Sequence, residues 1–277
     1  MSLFACQYIL TLRSDPMKLA ISNLPYQGLF TNRLMKLPLD LGIEVYSETG
    51  SDFYWEHLLP KLMKDRSGPF SVHGPYQNID LSLPELDYEP VRALYEWTYR
   101  LCRDYGSAHC VCHPYAYVPR SRMSAEEQKE RRKVCLERVK DLNQLAEQYG
   151  VALLVENMPN KDGLLDQDEF IELFGSQPEL RFLIDTGHAN IQGWDIEKMF
   201  EALGKRILGY HINDNFGEED SHLPVFEGTF NWDMFFTKAA AITPDATYVC
   251  EYMHGTVDEL TASARRIQEV YEKYLNY

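Results

Sequence analysis

Apolar positions in this chain gather into short, nearly unbroken runs, separated by longer stretches with helical periodicity. The runs are Lys18–Ser22, Gly42–Ser47, Phe70–His73, Ala108–His113, Val151–Asn157, Arg181–Thr186, Ile207–Asn213 and Thr247–Tyr252. They lack the strict polar alternation of a strand with one wet face, and so read as parallel strands covered on both sides. The stretches between them carry helix punctuation. Ser124-Ala-Glu-Glu127 is a capping box whose serine and glutamate satisfy backbone N–H groups that a helix start leaves free. It predicts a helix through Glu147, closed near Gly150. Asp195 caps a predicted helix through Leu203 with Gly204 as its stop, and Asp87 to Tyr105, Gln167 to Gly175, Trp232 to Ala241 and Thr256 to Tyr274 read similarly. Strands alternating with helices in this way predict a (β/α)8 TIM barrel, α/β in class, with a doubly wound open sheet as the second choice.

No Pro/Gly/Ser-rich linker splits the chain, so residues 17–277 read as a single domain. Residues 1–16 are an N-terminal extension of no assigned role; their short apolar stretch lacks the basic start and cleavage site of a signal peptide. A hydrophobic share of 45 % can fill a large core, which excludes disorder as a description of the chain. The balance of 42 acidic to 27 basic side chains, net −15, repels phosphate backbones and anionic membranes at long range. Neither nucleic acid nor membrane is therefore the expected partner, and no apolar run approaches the ~20 residues of a membrane helix. The six cysteines show no zinc-ribbon spacing and read as buried thiols of a cytoplasmic protein. Cys110 and Cys112 alternate along a strand and should share one face.

The chemistry lies where polar residues fall relative to the strands. Glu156 ends the fifth apolar run, Asp185 the sixth, His211 the seventh and Glu251 the eighth. In a barrel those ends converge on one mouth, where active sites of this architecture sit. Three converging carboxylates without a basic partner repel one another, and a divalent cation removes the conflict. Two Glu, one Asp and one His make a mixed oxygen and nitrogen set suited to one divalent metal ion, Mn, Co, Mg or Zn. His73 and His113 end the third and fourth runs, His188 follows Asp185 by three, Asp214 follows His211 by three, and Asp220-Ser-His222 lies in the next loop. Tyr26, Tyr46, Tyr76, Tyr115, Tyr117, Trp194, Phe226 and Tyr252 crowd the expected mouth. There is no glycine-rich phosphate cradle and no Lys/Arg cluster near these motifs.

The strings Val-Glu156-Asn157-Met-Pro, Ile-Asp185-Thr-Gly-His188, His211-Ile-Asn-Asp214 and Cys-Glu251 resemble the xylose isomerase-like TIM barrels, a superfamily of sugar isomerases and epimerases, dehydratases and endonuclease IV. The resemblance spans nearly all of residues 17–277. It implies that Glu156, Asp185, His211 and Glu251 hold one divalent metal, and that Glu156 and Glu251 are the catalytic acid–base pair. It also implies that His188 meets substrate oxygens, with His73, His113, Trp194, Asp214 and His222 as further substrate-binding candidates. The implied activity is isomerisation or epimerisation of a sugar, polyol or keto-acid through a metal-stabilised enediolate, with a small carbohydrate-like molecule as partner. Homo-oligomerisation is compatible with all of this.

Two alternatives use the same site. Loss of a hydroxyl in place of reprotonation makes an inosose- or dehydroshikimate-type dehydratase. The trinuclear zinc site of endonuclease IV draws on residue types that match His73, His113, Glu156, Asp185, His188, His211, Asp220, His222 and Glu251. Against the nuclease stand the continuation Asn157-Met-Pro-Asn160, the tyrosine after His113-Pro, and the lack of a basic stripe. The loop Asn213–Asp220 lacks the arginine with which ketose 3-epimerases grip substrate hydroxyls.

Overall fold

Eight strands, β1 (Lys18–Ser22), β2 (Gly42–Tyr46), β3 (Phe70–His73), β4 (Cys110–Cys112), β5 (Leu153–Glu156), β6 (Arg181–Asp185), β7 (Ile207–Ile212) and β8 (Thr247–Cys250), pair in chain order and close on themselves. Every pairing is parallel, and β1 meets β8 through Leu19 opposite Tyr248. The computed structural model describes residues 17–275; the N-terminal extension expected over residues 1–16 lies outside them, as does Cys6. The barrel is thus the expected one, and the open sheet is set aside by the β1–β8 closure.

The helices are α1 (Asp52–Leu62), α2 (Tyr88–Tyr105), α3 (Ala125–Gln148), α4 (Gln167–Phe170), α5 (Thr186–Gln192), α6 (Ile196–Leu203), α7 (Trp232–Ile242) and α8 (Val257–Leu275). A run of 3-10 turns, Gly28–Lys36, takes the helical place after β1, and a π turn, Ile171–Gly175, continues α4. The capping box at Ser124 is formed as expected, and Asp166 with Glu169 makes a second one before α4. No helix among the described residues is long and apolar enough to cross a membrane.

Alternation along each strand separates two environments. Ile43, Val45, Phe70, Val72, Leu153, Val155, Phe182, Ile184, Tyr210 and Tyr248 belong to the large cluster shared with the helices. Cys110 and Cys112 also lie in it, buried as free thiols on one strand face. Val111, Leu154 and Leu183 form a separate small cluster, because they point to the opposite face, inside the barrel. The next inward positions toward the strands' C-terminal ends are His73, His113, Glu156 and Asp185. The barrel interior is therefore apolar where β4, β5 and β6 line its lower layer, and polar at its mouth.

Candidate metal centre

His211 occupies the middle of the polar layer. Its Nδ1 lies 3.3 Å from Glu156 Oε1, 3.3 Å from Glu251 Oε2 and 3.9 Å from Asp185 Oδ2. All four side chains are at most 3 % exposed. Strand register explains part of this meeting, since Asp185 pairs directly with His211 across β6 and β7. Local capping explains more. Asp185 Oδ1 accepts from the backbone N–H of His188 and so starts α5, while Asp185 Oδ2 accepts from Asn213 Nδ2 at 2.8 Å. Asn157 bonds to both the N–H and the carbonyl of Asp185, tying the ends of β5 and β6 together.

Two further groups of potential ligand atoms flank this centre, each with its atoms within 4.8 Å of one another. One is His73, His113 and Glu156; the other is His188, Asp220 and His222. In the first, His113 Nε2 is 3.0 Å and His73 Nε2 3.7 Å from Glu156 Oε2, and the two ring nitrogens are 3.2 Å apart. In the second, His188 Nε2 and His222 Nε2 approach Asp220 Oδ2 at 3.3 and 3.2 Å. Glu156 also takes part in the central set, so its two oxygens face different neighbours.

The donor set suits a divalent cation on two grounds. Glu156 Oε2 and Asp220 Oδ1 are buried and accept no well-aligned hydrogen bond, leaving oxygen lone pairs without a partner. Four histidines also have their other nitrogen already engaged. His73 Nδ1 meets the Gly74 carbonyl at 2.8 Å, His188 Nδ1 the Asn157 carbonyl at 2.7 Å, and His222 Nδ1 the Glu251 carbonyl at 2.9 Å. His211 Nε2 meets a carboxylate, Glu44, at 2.8 Å. A ring nitrogen that donates to a carbonyl or carboxylate leaves the opposite nitrogen free to carry a lone pair, as metal-binding histidines require.

Electrostatics record the same crowding. Burial, followed by the charges of Glu251 and Glu156, pushes the Asp185 carboxyl up to about 7 against the pull of His188. Burial pulls His211 down, but the Glu251, Glu44 and Glu156 charges outweigh it and raise the imidazole well above its ordinary value. His188 moves the same way under Asp185 and Asp220. Burial likewise lowers His222, yet its bond to Asp220 and the charge of Glu251 bring it up to about 9. Protons held on the histidines balance the carboxylates here, and a metal does the same with fewer charges.

These groups face a cavity of about 360 Å³ lined by Tyr46, Tyr76, Tyr115, Tyr117, His113, Glu156, His188, Asp220, His222 and Glu251, with Met158 and Met253 among its apolar walls. Among the described residues no lysine or arginine lines it. Tyr46 stacks on His73 with ring centroids 4.2 Å apart, and its hydroxyl donates to Glu251 Oε1.

Three expected substrate contacts do not line this cavity: His73 is covered by the Tyr46 ring, and Trp194 and Asp214 lie elsewhere. Trp194 packs against Phe170 at 5.5 Å among the helices, because α5 carries the chain away from the mouth after His188. Asp214 is wholly buried and holds its own loop, accepting from Trp232 Nε1 at 2.8 Å and from the Phe230 and Asn215 N–H groups. Of the expected aromatics, Tyr26 donates to the Gly255 carbonyl, Phe226 lies under Arg266, and Tyr252 bonds Ser263; none lines the cavity. Glu44 and His109 were not singled out from the sequence. Glu44 stands mid-strand in Gly-Ile-Glu44-Val-Tyr, where a carboxylate in an otherwise apolar buried run was the available signal.

A family model described as the xylose isomerase-like TIM barrel matches residues 46–274, and the chain belongs to that family. Among curated proteins, an uncharacterised protein of Methanocaldococcus jannaschii is 30 % identical over 130 residues, 47 % of this chain and 50 % of the relative. The chain thus spans about half the length of that relative. Among solved structures, a D-tagatose 3-epimerase-like protein superposes with a TM-score of 0.78 at 23 % identity, covering 94 % of this chain and 98 % of that one. The IOLI protein with a bound zinc atom superposes at 0.71 and 18 % identity, covering 93 % and 99 %. At these identities the structural likeness is one of fold.

Proposed function

We propose that this chain is a divalent-metal-dependent isomerase or epimerase acting on a small, uncharged, polyhydroxylated carbonyl compound. The observation that carries this reading is His211 Nδ1 ringed by Glu156, Asp185 and Glu251 beside a tyrosine-lined cavity. A metal held by these four side chains would polarise a carbonyl and its neighbouring hydroxyl, acidifying the C–H between them. Glu156 and Glu251, from strands on either side of His211, are placed to remove that proton and to return one to the substrate. With Nδ1 engaged by a backbone carbonyl, the Nε2 atoms of His188 and His222 would meet substrate hydroxyls, and the tyrosine rings offer faces for C–H stacking. Among the described lining residues an acid such as dehydroshikimate, or a phosphorylated sugar, would meet only His113, His188 and His222 as basic partners. The D-tagatose 3-epimerase-like and zinc-binding structural neighbours support the reading.

The test is wash-in of solvent deuterium. Ketoses, aldoses and inososes are incubated in deuterium oxide with the manganese-loaded protein and followed by NMR. Exchange next to the carbonyl is expected, reduced about 10³-fold in E156Q and in E251Q, the scale on which acid–base groups act. Full exchange in either variant removes the two-glutamate mechanism, and loss of water from the substrate identifies a dehydratase.

A second reading has its own observation. The two outer groups would let the site hold three metals, an arrangement suited to phosphodiester hydrolysis. The net charge of −15 opposes approach of a nucleic acid, and cleavage of an abasic-site duplex by zinc-loaded protein would reverse the ranking.

A further inference from the structure

Beneath the candidate metal ligands lies a polar group that the proposed chemistry does not use. Glu44 is wholly buried at the centre of β2, inside the barrel. Its Oε1 receives His211 Nε2 at 2.8 Å, and its Oε2 accepts from Ser71 Oγ at 2.8 Å, with Ser71 its register partner on β3. His109 Nε2, buried and otherwise without a partner, stands 3.7 Å from the same Oε2. A carboxylate this deep is strongly penalised by desolvation and is retained only where its neighbours repay it. Its polar neighbours are Ser71, His109 and His211, and the last is the ring at the middle of the centre.

We propose that Glu44 is the positioning residue of the metal centre: its carboxylate accepts a hydrogen bond from the Nε2–H of His211, and so turns Nδ1 toward Glu156, Asp185 and Glu251. Ser71 fixes the second oxygen, so the carboxylate cannot rotate away from the ring. An imidazole on a free rotor presents either nitrogen; with Nε2 committed to Glu44, only Nδ1 can face the three carboxylates. β2 then acts twice on the site, since Tyr46, two residues on and on the same strand face, donates to Glu251.

This inference rests on the metal-binding reading, and the experiment separates the two. Zinc affinity is measured by competition with a chromogenic chelator for wild type, E44Q, H211A and the double variant, each checked for fold by circular dichroism. E44Q, isosteric but uncharged, should bind zinc 10- to 100-fold more weakly than wild type, the usual cost of losing such a partner. In the H211A background, where the three carboxylates retain weaker zinc binding that titration can read, E44Q should change affinity less than twofold, because its effect passes through His211. Equal affinity of folded E44Q and wild type overturns the proposal, as does the same loss in both backgrounds. A wild-type chain that takes up no zinc overturns the metal reading itself. Should E44Q not fold, nitrogen-15 NMR of zinc-loaded wild type decides: His211 bound through Nδ1 with a slowly exchanging Nε2 proton is expected, and coordination through Nε2 contradicts it.

Discussion

At the scale of single residues, the site works by committing one end of each polar group so that the other end is aimed. Tyr46 shows this most simply, with its ring stacked on His73 and its hydroxyl spent on Glu251. Burial and the Glu251 charge hold that phenol well above its ordinary value, so it stays a donor at any working pH. Y46F keeps the ring and removes the donor; turnover should fall 10- to 100-fold while bound metal is unchanged, as read by steady-state kinetics beside elemental analysis. Wild-type turnover in Y46F would show that the bond to Glu251 does not matter to the chemistry. H211A, in contrast, should lose metal, and full metal content in that variant would exclude His211 as a ligand. The strand-end residues Glu156, Asp185, His211 and Glu251 could be read from the sequence because each interrupts an apolar run at the same point. Glu44 could not be singled out that way, because its meaning depends on a ring that lies 167 positions along the chain.

At the scale of elements, two loops do the positioning. The turn from β6 into α5 places Asp185 and His188 one helical turn apart, with Asp185 as the N-cap. This helix escaped the sequence pattern because Thr-Gly-His-Ala-Asn-Ile-Gln has too few apolar positions to show a period. For that reason Trp194 was expected at the mouth, whereas α5 takes it into the helical layer. Gly187 in this turn has no room for a side chain: a Cβ there would fall 1.9 Å from Asn213 Oδ1. G187A should therefore displace Asn213 from Asp185 and weaken metal binding, a change that zinc titration would detect; unaltered affinity would show that the Asn213 bond is dispensable. The β7 loop is held by Asp214, which clasps Trp232 and Phe230 and bridges to Leu223 through paired backbone bonds of 2.9 Å. D214A leaves the indole and two backbone N–H groups, of Phe230 and Asn215, unpaired in the interior and should cost about 3 kcal/mol in denaturant unfolding. A loss below about 0.5 kcal/mol would show that the clasp does not stabilise the loop. Capped helices such as α3 and α6 were readable in full, since Ser124 and Asp195 act within four residues of themselves.

At the scale of the whole molecule, barrel closure gathers carboxylates from β5, β6, β8 and the β7 loop around histidines, and the balance between them sets the response to pH. The raised His222 pKa means that its proton stabilises the metal-free fold fully below its unfolded value of about 6.5. That contribution is lost as pH rises through about 9. The metal-free protein should therefore lose Tm between about pH 6.5 and pH 9, and H222A should flatten the decline. Metal binding runs the other way, because it needs neutral imidazoles, so the rise in Tm on adding zinc should grow over the same interval. A zinc-induced shift that shrinks with rising pH would contradict histidine ligation. The fold itself was readable at this scale from the eightfold alternation of runs and helices, whereas the adjoining ligand groups emerged only once the strands were closed.

The central claim is a metal centre on Glu156, Asp185, His211 and Glu251, and metal content tests it most directly. The protein is purified without chelators or an affinity metal, and its elements are counted per chain. About one Mn, Co, Mg or Zn per chain, lost in H211A, is the predicted result. A metal-free chain that binds none on titration contradicts the claim, and close to three zinc ions per chain replaces the single-metal isomerase with the three-metal hydrolase.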